Sequence, residues 1–107
     1  MTVQDSQQRE PDWRQATMTV LGAHGLHARP AIKFSRAARA FSAKIQICVE
    51  GDVRWVDAKS VAKVMGLQVE TGKTILMRAV GVDADAALAG LREFVESDLA
   101  TEDEDVG

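Results

Sequence analysis

The sequence predicts an α+β fold: a four-stranded antiparallel sheet covered on one face by three helices, in the order βαββαβα. Three observations carry that expectation. Stretches with a period of two (QATMTV, KIQICV, TILMRAV) alternate with stretches at helical spacing. A short turn at Glu50-Gly51-Asp52 joins two of the strands directly, which makes them antiparallel neighbours. A chain of 107 residues is too short to cover both faces of such a sheet, so the helices share one face and leave an open-faced sandwich.

The elements follow in order. Met1 to Asp12 is rich in Gln, Ser and charge with little to bury, and reads as a disordered N-terminal extension. The domain is expected from Trp13 to Glu96. In Gln15 to Val20, residues Ala16, Met18 and Val20 share one face. Gly22 and Gly25 mark a loop, after which Ala31, Phe34, Ala38 and Phe41 form one apolar stripe, predicting a helix from Ala28 to Phe41. KIQICV turns Ile45, Ile47 and Val49 inward and Lys44, Gln46 and Cys48 outward, and VRWV (Val53 to Val56) is the returning strand. Asp57 to Leu67 reads as a short helix with Val61, Val64 and Met65 or Leu67 inward. TILMRAV is the fourth strand, with Ile75, Met77 and Ala79 on one face. Asp83 is expected to cap a last helix whose stripe is Ala84, Ala87, Leu88, Leu91, Phe94 and Val95. Residues 97–107, with the run TEDEDVG, read as a solvated acidic tail.

Composition narrows the function. Hydrophobic residues at 46% and charged ones at 27% fit one ordinary globular domain. A single cysteine excludes a disulfide framework and a Cys-rich metal site, and suits a reducing compartment. No apolar run approaches the ~20 residues of a membrane span, so no membrane insertion is expected. The N-terminus lacks the basic-then-apolar layout of a signal peptide, which predicts a cytoplasmic protein. A net charge of −3 argues against nucleic acid as a partner.

The chemistry concentrates in GAHGLHARPAIKF (Gly22 to Phe34), where His27 stands at the expected helix start. Histidine keeps a neutral, nucleophilic nitrogen near pH 7. The N–H groups of Ala28 and Arg29 would have no helical partner, and with the positive end of the helix dipole they form an anion site beside the ring. Arg29 adds a planar fork that matches phosphate oxygens. Pro30 falls in the first turn, where its missing N–H costs nothing. Read from spacing alone, two readings stand: His27 is a solvent-facing residue at a helix cap, or it is a phosphoryl acceptor.

GLHARPA (Gly25 to Ala31) resembles the phosphohistidine motif of the HPr family, the histidine-containing phosphocarriers of the bacterial phosphotransferase system. AKSVAKVMGL (Ala58 to Leu67) is similar to that family's regulatory-serine helix, and the element order matches its open-faced sandwich. The resemblance implies that His27 is phosphorylated on Nδ1, with Arg29 assisting and the backbone of Ala28 and Arg29 holding the phosphate. It implies a route from phosphoenolpyruvate through enzyme I to His27 and on to enzyme IIA components of sugar uptake. The chain would then be a monomeric carrier without a cofactor, not an enzyme. Ser60 matches the serine that a bifunctional kinase/phosphorylase modifies in many members, although on its own it reads first as a helix cap.

Arg29, Lys33, Arg36 and Arg39 recur on one helix, and Lys59 and Lys63 add charge near the next. Such a stripe is either a solvated face or a docking surface for acidic partners. Family members use basic residues matching Arg29, Arg36, Arg39 and Lys63, with apolar residues of the second helix (here Val61, Ala62 and Val64). Ala62 stands where many members carry Phe or Met, and His24 where most carry a small polar residue. The hairpin looks about two residues longer than usual, and the N-terminal extension has no counterpart. The nitrogen-branch paralogue NPr shares the site. A regulatory binding protein acting through phosphorylated Ser60 is a further reading, against which the presence of His27 speaks.

Other signals lead elsewhere. His24 and His27 form an HxxH pair without a third ligand, so no metal site is expected. GLQVETGKT (Gly66 to Thr74) imitates a phosphate-binding P-loop but has five residues between its glycines and precedes a strand. Trp13 and Trp55 are expected to pack at strand edges rather than to stack on bases.

Overall fold

Residues 12–22 and 24–98 are described by the computed structural model. The disordered extension expected over residues 1–12 therefore lies outside the described residues except for Asp12, as does most of the acidic tail. Four strands, β1 (Arg14–Thr19), β2 (Lys44–Val49), β3 (Val56–Asp57) and β4 (Thr74–Val80), form one sheet in the order β1-β4-β2-β3. Every pairing is antiparallel, with Met18 opposite Ile75 and Ile47 opposite Met77. Three helices, α1 (Ala28–Arg39), α2 (Val61–Gly66) and α3 (Ala84–Glu93), cover one face, and α3 runs on as a π-helical turn over Phe94–Asp98. That turn carries the helical element two residues past the boundary expected at Glu96.

The core forms where the two periodicities meet. Met18, Ile45, Ile47, Ile75, Met77 and Ala79 line the sheet, and Leu26, Ala31, Phe34, Ala38, Val64, Leu88, Leu91 and Val95 come from above, all buried in one cluster. Full burial of a side chain such as Phe34 or Ile47 contributes about 1.5–3 kcal/mol. Inside α1, Ser35 is also fully buried, and its hydroxyl has no hydrogen-bond partner among the described residues.

Several boundaries differ from the sequence reading. α1 ends at Arg39, not Phe41: the Ala40 N–H bonds the Ala37 carbonyl and the Phe41 N–H the Ala38 carbonyl, both at 3.2 Å, and Phe41 leaves the helix but still packs on the core. The returning strand pairs only at Val56–Asp57. The Asp52 carboxylate accepts the N–H groups of Val53 (2.6 Å) and Arg54 (3.3 Å), which bends the chain off the sheet and leaves Val53 exposed. Asp57 consequently belongs to β3, and α2 starts only at Val61 behind its cap Ser60. Cys48 does occupy the outer sheet face but is buried. The turn after β2 folds over it, with Sγ donating to the Asp52 carbonyl at 3.3 Å, and burial pushes its thiol pKa up.

Asp83 precedes α3, yet its side chain makes no bond to that helix. It accepts instead from the backbone of Ser42 (2.9 Å) and Ala43 (2.8 Å) and from the Ser42 hydroxyl (3.3 Å), tying the α1–β2 connection to the start of α3. The Ser42 backbone bond is the first cause holding its carboxyl below the usual aspartate value.

On the open sheet face the tryptophans have a cationic partner the sequence did not suggest. The Arg78 guanidinium lies 4.4 Å from the Trp13 ring and 4.1 Å from the Trp55 ring, with Lys44 5.9 Å from Trp13. Gln46 Oε1 accepts from Arg78 Nε (2.9 Å) and Nη2 (2.7 Å), which holds the guanidinium flat between the rings.

Candidate phosphoryl-acceptor site

The site is made where the loop after β1 meets the segment before β4. Val20 N–H bonds the Lys73 carbonyl (2.9 Å), and Gly72 N–H returns to the Val20 carbonyl (2.7 Å). Further along, Leu26 N–H donates to the Val69 carbonyl at 2.9 Å, and the Leu26 side chain is fully buried. Gly25 has φ +56, and a Cβ there would strike the Val69 carbonyl and press on Glu70 Cα and Thr71 N, both at 3.1 Å. Only glycine lets the two segments touch.

This strap fixes the residue that follows it. His27 is the N-cap of α1 in an extended conformation (φ −79, ψ −155), and its carbonyl accepts Ala31 N–H at 2.8 Å. Its imidazole makes no capping bond, so the ring leaves the amides of Ala28 and Arg29 at the first helical positions to another acceptor. The His27 side chain is 49% exposed, and its Nε2 lies 3.5 Å from Glu70 Oε1. Arg29 is exposed beside it, and Pro30 is buried in the first turn. The turn after α3 is tied in as well: Glu96 Oε2 accepts Thr19 N–H at 3.1 Å, at the exit of β1.

The remaining expected site residues spread along α1 and α2. Arg36 and Arg39 are exposed, and Arg39 Nε reaches the Lys59 carbonyl (3.2 Å). Lys59 Nζ is engaged by the Phe41 carbonyl at 2.7 Å, which ties down the charge expected to join the basic surface. Ser60 Oγ caps α2 by accepting Lys63 N–H at 3.3 Å. Ala62 and Lys63 are exposed and Val61 is half-buried, but Val64 is fully buried in the core and has no surface to offer a partner. Its position on the inward face of α2 overrides a docking role. Exposed apolar side chains lie instead at Leu21 and Ile32, which periodicity did not single out, and at Met65; of the two alternatives read for the inward position, Leu67 is the buried one. Sequence reasoning also missed Glu70, which sits in the stretch set aside as a false P-loop. No group of three or more His, Cys, Asp or Glu among the described residues is placed to hold a metal ion. No helix among them is long and apolar enough to cross a membrane.

A family model described as the PTS HPr component phosphorylation site matches residues 14–97. The chain belongs to the HPr family. Residues 14–97 make up an HPr-type domain. The chain is 38% identical over 81 residues to the phosphocarrier protein HPr of Haloferax volcanii, covering 76% of this chain and 91% of that one. To the phosphocarrier protein NPr of Shewanella violacea it is 39% identical over 80 residues, covering 75% and 86%. The crystal structure of HPr-C-His from Thermoanaerobacter tengcongensis superposes with a TM-score of 0.76 at 35% identity, over 83% of this chain and 98% of that one. The chain also spans 24% of the multiphosphoryl transfer protein of Vibrio cholerae and 10% of that of Xanthomonas campestris, at 36% and 40% identity. The fold is that of the HPr structures.

Proposed function

We propose that the chain takes a phosphoryl group onto His27 Nδ1 from phosphorylated enzyme I, the group originating in phosphoenolpyruvate, and passes it to an enzyme IIA component. The observation that carries this reading is the half-exposed His27 ring at the start of α1, whose first amides its side chain leaves uncapped, with the exposed Arg29 two residues further on. Amides and dipole favour the incoming dianion, and Arg29 spreads its charge over a bidentate fork. Transfer needs positioning and electrostatics and little else from the protein. Arg36, Arg39 and Lys63, with Val61 and Ala62, offer acidic partners a basic, shallow face suited to fast encounter and easy release.

Ser60 is a second point of control. Phosphate on its hydroxyl would lie at the start of α2, where the Lys63 N–H and the helix dipole favour it, and would set negative charge on the face that partners approach, the change a serine kinase would exploit. The carbohydrate and nitrogen branches share the His27 chemistry, and the enzyme I that charges the chain and the IIA that discharges it tell them apart. The deciding experiment incubates the protein with phosphoenolpyruvate and enzyme I. One acid-labile phosphate is expected, absent from His27→Ala; a phosphate that persists in that variant overturns the reading.

A further inference from the structure

We infer that Glu70 is a positioning residue for His27: its carboxylate accepts the Nε2–H, which holds the ring in the tautomer whose Nδ1 carries the free lone pair. This inference rests on the carrier reading and assigns that site a carboxylate partner. Three observations support it. Glu70 Oε1 is the acidic oxygen facing Nε2, at 3.5 Å. His27 directly follows Leu26, and Glu70 directly follows Val69, so the Leu26–Val69 hydrogen bond sets how far apart the two side chains begin. Gly25, which has no Cβ, allows the backbone of residues 69–71 to lie this close to the residue before Leu26 and His27.

The two nitrogens of a histidine are chemically distinct, and the hydrogen bond made by one decides what the other can do. A neutral ring with its proton on Nε2 presents Nδ1 as the nucleophile. In the transfer step the Nδ1 lone pair forms a bond to phosphorus. The bond from phosphorus to the donor breaks, and its electron pair stays on the donor. The His27 ring keeps its Nε2 proton throughout and becomes an N-phosphorylated imidazolium, whose positive charge lies opposite the Glu70 carboxylate. Passing the group on returns the P–N electrons to the ring and restores the neutral imidazole. No proton has to move. A carboxylate behind a working imidazole plays the same two parts in hydrolytic triads, fixing the tautomer and stabilising the cation. Here the Glu70 side chain is 65% exposed, so its contribution is modest and its replacement leaves the core untouched.

The test compares wild type with Glu70→Ala and Glu70→Gln, using the full chain labelled with 15N in histidine. Ring 15N–1H spectra of the unphosphorylated protein report the tautomer directly. Wild type should hold the Nε2–H form; Glu70→Ala should shift toward the other tautomer, and Glu70→Gln, whose amide oxygen still accepts, should restore it. With saturating phosphorylated enzyme I, Glu70→Ala should be charged about two- to fivefold more slowly, the range of an exposed charge pair. An unchanged tautomer ratio in Glu70→Ala overturns the pairing, even if enzyme I charges the protein normally. A tautomer that depends on Glu70 in a chain that enzyme I cannot charge supports the pairing and overturns the carrier reading instead.

Discussion

Replacing Gly25 with alanine should loosen the phosphoryl site and the fold together. The residue has φ +56, a conformation that costs alanine roughly 1–2 kcal/mol. The new Cβ would also meet the Val69 carbonyl, so the loop must lift and the 2.9 Å bond from Leu26 N–H to that carbonyl is lost. A buried donor left without a partner adds about 1–3 kcal/mol. Together these predict a loss of roughly 2–5 kcal/mol from a domain whose whole stability is on the order of 5–15 kcal/mol. Urea unfolding measures it: at a slope of about 2 kcal/mol per molar, the midpoint should fall by about 1–2.5 M. Gly51→Ala is the control. Gly51 also has positive φ (+93), but nothing lies within 4 Å of an added Cβ, so only the conformational part should appear. Phosphoryl acceptance by Gly25→Ala should fall too, because His27 and Glu70 lose their common anchor. A midpoint within about 0.2 M of wild type, or equal to that of Gly51→Ala, would refute the strap.

Two further substitutions test separate features of the fold. Ser35→Ala removes a buried hydroxyl that has no partner among the described residues and places a better helix former in α1, so stability should rise by about 1 kcal/mol, seen by calorimetry as a higher Tm; an unchanged or lower Tm would show that the hydroxyl is satisfied after all. Asp83 has its pKa lowered in the folded state, so the unfolded chain binds the proton first on acidification, and the stability this residue supplies at neutral pH is lost as pH falls below about 4. Asp83→Asn should therefore flatten the acid limb of the stability profile, and parallel profiles for the two proteins would contradict that account.

Much of the fold was legible because its periodicities are clean. β4 runs over the seven residues the alternation predicts, and α3 buries the expected stripe. What stayed hidden depends on side chains that reach across the chain. Asp83 looks like a cap for its own helix, yet the amides of Ser42 and Ala43 take its carboxylate. The returning strand after Gly51 has β-forming residues, but Asp52 captures the next two amides and bends them away. At the site, His27 and Arg29 were legible because a helix start announces itself locally. Glu70 was not, since it arrives from a segment whose only recognisable pattern was a failed phosphate loop.

The stacking of Trp13, Arg78 and Trp55 has a practical consequence for anyone who follows this protein by its fluorescence. Both indoles of the chain report from one place, the uncovered side of the sheet, whereas His27 stands where α1 begins on the covered side. Emission should therefore track melting of the sheet and stay nearly silent while phosphate is loaded or a partner docks along α1. A spectral change on adding a partner would thus locate contact on the side of the molecule away from the imidazole.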